Sequence, residues 1–246
     1  FNMAFNMAKA GYSVVYVSLE KKAVPFFARL LALHAMVDYN RIRRGGKDEK
    51  GIDDFHYRKI KEAASDLINN ISPNLYCVQM TSGVKVSKIL AAVDRIITSR
   101  ASNREQNNGQ QKKRPLDVLF VDYLGAIGHE TFHPTRPDLD DAASSQRLQA
   151  YGQEKDLVTV TAAQLKTMSS KDIRNKAKKA GSEDTNTVEV NTEDIAGSKM
   201  IVADADNAIG VVLNSDHPPT KMFAHITKAR ESESRKTVVL DFDGKI

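Results

Sequence analysis

At 246 residues, 41% of them hydrophobic and 27% charged, the chain has the composition of an ordinary globular protein and the length for one large core or two small ones. No apolar run approaches the roughly 18 to 20 residues of a membrane span, and a single cysteine, Cys77, excludes an internal disulfide framework and fits a reducing compartment. A net charge of +5 and a pI of 9.1 are mildly basic, compatible with a nucleic-acid partner without demanding one.

The chain opens on FNMAFNMA, with no initiator Met, no polar entry to a helix and no visible signal peptide, so it reads as starting inside a structural unit. The four-residue repeat puts Phe1 beside Phe5 and Ala4 beside Ala8 on a helix, and Gly11 is placed to end it. VVYVS is short and β-branched, a buried strand that runs into Ser18, Leu19 and Glu20. VPFFARLLALHAMV is an apolar helix with Pro25 tolerated near its first turn. RIRRGGKDEKG follows as a polar turn, FHYRKIKEAASDLINN as an amphipathic helix, and NLYCVQ as a second buried strand. That placement assigns Cys77 to packing and not to nucleophilic chemistry. VSKILAAVDRIITSR is the next helix, and residues 101–115 form a polar loop. LDVLFVDYLG is the clearest buried strand, GHETFHPTRPDLDD a loop rich in Pro, His and charge. ASSQRLQAYGQEKD is a helix weakened by Gly152, and LVTVTAAQ a strand. SSKDIRNKAKKAGSEDTNT is long, polar and basic. NAIGVVL, KMFAHITKA and KTVVLDF close the chain as strands, the last two as a hairpin. Alternating helices and strands predict an α/β fold, a mostly parallel sheet with helices on both faces. The consecutive strands of the tail predict an antiparallel addition at one edge.

Open α/β sheets bind ligands outside the C-terminal ends of their strands. Three polar residues stand there: Glu20, Asp122 and Gln164. An apolar run that ends in Asp, as LDVLFVD does, is the pattern of a Walker B strand, whose carboxylate serves the magnesium of a bound nucleotide. The same Asp would also suit a plain turn cap, and Glu20 the solvated start of a loop. No G-x-x-x-x-G-K-[ST] phosphate loop occurs in the 246 residues. In a P-loop protein of the RecA type it would lie just before the opening helix. His129 and His133 are four apart, but no further ligand pattern supports zinc.

SVVYVSLEKKAVPFFARLLA, LDVLFVDYLGAI, VTVTAAQLK, EDIAGSKMIVADADNAIGVV and ITKAR, in this order, resemble the C-terminal, RecA-like motor domain of DnaB-family replicative DNA helicases. The likeness is nearest to helicases of large tailed phages, with their VDYLG strand, TAAQ strand and DIAES…ATAD segment. It runs over nearly the whole chain and implies a RecA-like P-loop NTPase core, one domain over 1–246 truncated just after the expected P-loop. It implies ATP and Mg2+, a homo-hexameric ring on single-stranded DNA, a primase and a helicase loader as partners, no membrane, and the cytoplasm of a bacterial host. By the same resemblance Glu20 polarises the attacking water and Asp122 holds magnesium through water. Gln164 is the polar sensor of the γ-phosphate, and Lys228 and Arg230 reach the nucleotide of a neighbouring subunit. HETFHPTRPDLDD and SSKDIRNKAKKAGSEDTN are the candidate DNA loops. In the second, Lys171, Arg174, Lys176, Lys178 and Lys179 are dense enough to neutralise a phosphate backbone without reading sequence, or to make a solvated loop. This basic loop is longer than the family leads one to expect, and without a P-loop the fragment alone is expected to be inactive. Two other readings share parts of the pattern: a RecA- or KaiC-like recombination or signalling ATPase, and a non-catalytic RecA-fold loader or assembly module.

Overall fold

In the computed structural model the described residues are 1–45, 52–105, 114–130, 137–164, 199–213, 220–231 and 236–241. The chain begins with α1 (Asn2–Lys9), β1 (Val14–Ser18), α2 (Ala23–Ala35), α3 (Tyr39–Arg44) and α4 (Asp54–Asp66), which runs on into a π turn at Leu67–Ile71. It continues with β2 (Leu75–Gln79), α5 (Val86–Glu105), β3 (Val118–Asp122), α6 (Pro137–Lys155) and β4 (Val158–Thr161). It closes with α7 (Lys199–Asp204), β5 (Asn207–Leu213), β6 (Lys221–Ala229) and β7 (Thr237–Asp241).

The first four strands form a parallel sheet in the order β2-β1-β3-β4. Alternation along β1 and β3 sends successive side chains to opposite faces, and each face has its own core. Val15, Val17, Leu119 and Val121 pack with Ile89 and Val93 of α5 and Leu148 of α6. Val14, Tyr16, Val118 and Phe120 pack with Phe5 of α1 and Phe26 and Leu30 of α2. β1 is buried along its whole length because it lies between two strands and two helical layers. β2 is half-buried, since it is an edge strand, and Cys77 with it. The last three strands pair antiparallel in a sheet of their own, β5-β6-β7, with β6 and β7 adjacent as a hairpin pattern predicts. Ile209, Val211, Leu213, Val238 and Leu240 are exposed on it.

Element boundaries differ from the sequence reading in three places. RIRR belongs to α3, a helix started by Asp38, whose carboxylate accepts from the Asn40 N–H at 2.7 Å. α5 continues through residue 105, inside the segment predicted as loop. α6 begins at Pro137, so PDLDD is its first turn and not loop. Proline suits the first helical position and acids suit the positive end of the helix dipole. Polar N-terminal turns of this kind look like loops in sequence. Gly152 sits in α6 for a steric reason: a Cβ there would lie 3.0 Å from the Leu157 carbonyl oxygen and 3.1 Å from the Thr159 methyl.

Candidate active site

The parallel register assembles the strand ends. Ser18 pairs with Asp122 across β1 and β3, and the Leu19 N–H donates to the Asp122 carbonyl at 2.9 Å. Val121 pairs with Thr161, and the Leu124 N–H donates to the Ala162 carbonyl at 2.9 Å. Glu20, Asp122 and Gln164 therefore leave three neighbouring strands at one edge of the sheet. Glu20 and Gln164 are exposed there and Asp122 is half-buried.

Each is presented by identifiable local chemistry. Buried Ser18 closes the turn that carries Glu20. Its hydroxyl accepts from the Lys21 N–H and donates to the Lys21 carbonyl, both at 3.1 Å. The next helix is anchored on the same edge, because Lys22 has no capping oxygen and the Gln79 side chain accepts the Ala23 N–H at 2.8 Å. Asp122 is held by the Tyr16 hydroxyl, which donates to its Oδ2. Burial and the hydrogen bond to this carboxylate push the phenol well above the usual tyrosine range, so Tyr16 remains a donor. The Asp122–Tyr123 peptide is cis. A small cleft of about 40 Å³ lies among Tyr16, Ser18, Lys21, Phe26 and Gln79. A larger one, about 270 Å³, lies between Ser87, Glu130 and α6 and is lined by none of the predicted site residues. Proximity to the strand ends makes the first the more relevant to chemistry.

Lys228 and Arg230 are placed elsewhere. The Lys228 Nζ donates to the carbonyls of Val202 and Ala203 at 2.8 and 2.6 Å, at the C-terminal end of α7. Arg230 pairs with Asp206 at 2.5 Å, and its N–H donates to the Asp206 carbonyl at 3.0 Å. These contacts tie both cations to the second sheet and α7, not to Glu20 and Asp122. Lys171, Arg174, Lys176, Lys178, Lys179 and His133 lie outside the described residues. Among the described residues no group of three His, Cys, Asp or Glu side chains could hold a metal ion. Burial pushes the Cys77 thiol up to about 12, which keeps it protonated and unreactive.

Sequence reasoning missed Tyr16, Ser18 and Gln79. One signal was available for the first: a tyrosine inside a fully buried strand must find a partner for its hydroxyl.

No curated protein matches the chain. Among solved structures it is similar to a DnaB-like replicative helicase studied with its interactions with primase, at TM-score 0.73 and 18% identity over 98% of this chain and 52% of that one. It is similar to the ATPase domain of a phage helicase at TM-score 0.72 and 18% identity, over 98% of this chain and 75% of that one. The chain thus spans about half the length of the first relative. At this identity the likeness speaks for the fold, a RecA-like ATPase core. Among the described residues no helix is long and apolar enough to cross a membrane. The model of the DnaB-like helicase C-terminal domain matches residues 1–246, and the chain belongs to that family.

Proposed function

We propose that this chain is the ATPase motor of a replicative DNA helicase, coupling ATP hydrolysis to translocation on single-stranded DNA and to duplex unwinding. The observation that carries the reading is the shared edge, where Glu20, Asp122 and Gln164 leave β1, β3 and β4 in parallel register. Glu20 is exposed, on a turn closed by Ser18, and can take the proton of a water as its oxygen attacks the γ-phosphorus and the bridging oxygen departs. Asp122 fits a magnesium ion held through water. It offers hard oxygen donors, one engaged by Tyr16 and the other without a partner among the described residues. Magnesium, when bound, neutralises charge on the phosphates. The Gln164 amide can both donate and accept, so it suits a sensor that reports the γ-phosphate to the chain segment that follows.

Lys228 and Arg230 serve as the donors in trans. In that role they approach the nucleotide of a neighbouring copy and stabilise the charge that builds on the transferred group, which makes hydrolysis depend on a homo-hexameric ring. Lys171, Arg174, Lys176, Lys178 and Lys179 contact the DNA backbone in this scheme. A primase and a helicase loader are the expected protein partners.

The test uses the full-length protein. Glu20→Gln lowers the DNA-stimulated ATPase rate by roughly 10²- to 10⁴-fold, the range of a lost general base. Equal rates in the two proteins would remove the assigned role. Unwinding of a forked DNA substrate separates the helicase from a recombinase, which pairs strands and leaves the fork intact.

A further inference from the structure

Asp122 is the residue on which the magnesium reading depends, and it is not free to turn. Tyr16 stands on the neighbouring strand, 2% exposed, and its hydroxyl donates to Asp122 Oδ2. The register explains the contact. Tyr16 pairs with Phe120 and Ser18 with Asp122, so Tyr16 and Asp122 are diagonal neighbours on one face of the sheet. The ring itself is immobilised by three others: Phe26 at 5.1 Å, Phe120 at 6.2 Å and Phe1 at 6.4 Å between centroids.

We propose that Tyr16 is the positioning residue of the magnesium site: its hydroxyl pins one oxygen of Asp122 and leaves the other directed to the water shell of the ion. The inference rests on the ATPase reading above and deepens it. The terminal torsion of an aspartate is broad, so an unheld carboxylate at a strand end samples many orientations. A hydrogen bond from a ring locked in the core removes that freedom before the ion arrives, and hydrogen-bonded partners of this kind tune metal ligands strongly. Packing alone does not require the hydroxyl. Phenylalanine would fill the same space between Phe26 and Phe120, and the other side chains of β1 are three valines and Ser18. A buried strand of this composition has use for a phenol only where its oxygen has work at the far end of the ring.

The experiment is Tyr16→Phe in the full-length protein, beside Asp122→Asn. Two quantities are read: the magnesium concentration for half-maximal ATPase, and the magnesium dependence of fluorescent-ADP binding, which involves no turnover. Tyr16→Phe is expected to raise both half-saturation points about ten-fold, with most of the lost rate returning at saturating magnesium. A purely structural tyrosine would lower the melting temperature and the rate at every magnesium concentration while the half-saturation points stay in place. That result overturns the proposal. Should Tyr16→Phe melt lower, the ADP titration is run below both unfolding midpoints, and an unmoved half-saturation point there overturns it equally. If Asp122→Asn itself leaves the magnesium dependence unchanged, the ATPase reading of this edge fails, and the role of Tyr16 fails with it.

Discussion

Lys228 and Arg230 are engaged within their own chain, and that bears on what they can do. Arg230 and Asp206 are both more than half exposed, 53% and 58%, in a pair of the kind that contributes about 0 to 1 kcal/mol in water. A guanidinium held so weakly exchanges Asp206 for a phosphate oxygen at little cost, since charge-assisted bonds to phosphate are the stronger ones. The contact therefore parks the side chain without disabling it. Arg230→Ala in the assembled full-length protein is expected to lower ATPase kcat by about 10³- to 10⁵-fold, as for an arginine finger, while the melting temperature barely moves. Steady-state kinetics with a thermal melt on the same samples checks this. An unchanged kcat would leave Arg230 as a surface ion pair only. Its basic character was legible in ITKAR, but its partner was not, because Asp206 belongs to another segment.

Helices are tied to the sheet by caps supplied from a distance. α5 follows Lys85, which has no capping oxygen, and Glu130, 43 positions away, accepts the Ser87 N–H at 2.8 Å. The Ser87 hydroxyl and N–H hold the Glu130 carboxyl below its ordinary value of 4.5. A carboxylate with a depressed folded pKa stabilises above its unfolded pKa and loses that stabilisation as pH falls through the folded one. Glu130→Ala should thus cost about 1 kcal/mol at neutral pH, the usual worth of a cap. Wild type and variant should converge toward about pH 3, where the wild-type side chain is protonated. Urea denaturation at the two pH values measures both. The apolar alternation of β1 and β3 and the 3.6-residue pattern of α2 were readable because each is periodic within one element. Glu130 on Ser87 and Gln79 on Ala23, the latter 56 positions apart, join elements and leave no periodic trace.

On the scale of the whole molecule, the proposed site is split between copies: Glu20 and Asp122 on the parallel sheet, Arg230 beside the antiparallel one. Mixing Glu20→Gln protein with Arg230→Ala protein should then restore ATPase that neither has alone, because some interfaces join an intact Glu20 to an intact Arg230 of the neighbour. A mixture as inactive as its components would place all these groups on one copy. Composition, the absence of an apolar span, the alternation of helix and strand, and the ends of the apolar strands at Glu20, Asp122 and Gln164 were determined by the sequence alone. They are local properties, set by side-chain period and residue type. Strand order β2-β1-β3-β4, the separate antiparallel sheet, and the meeting of Tyr16 with Asp122 across 106 positions were decided only by the tertiary structure. Register between distant strands is set by which faces bury together, and that is a property of the packed chain.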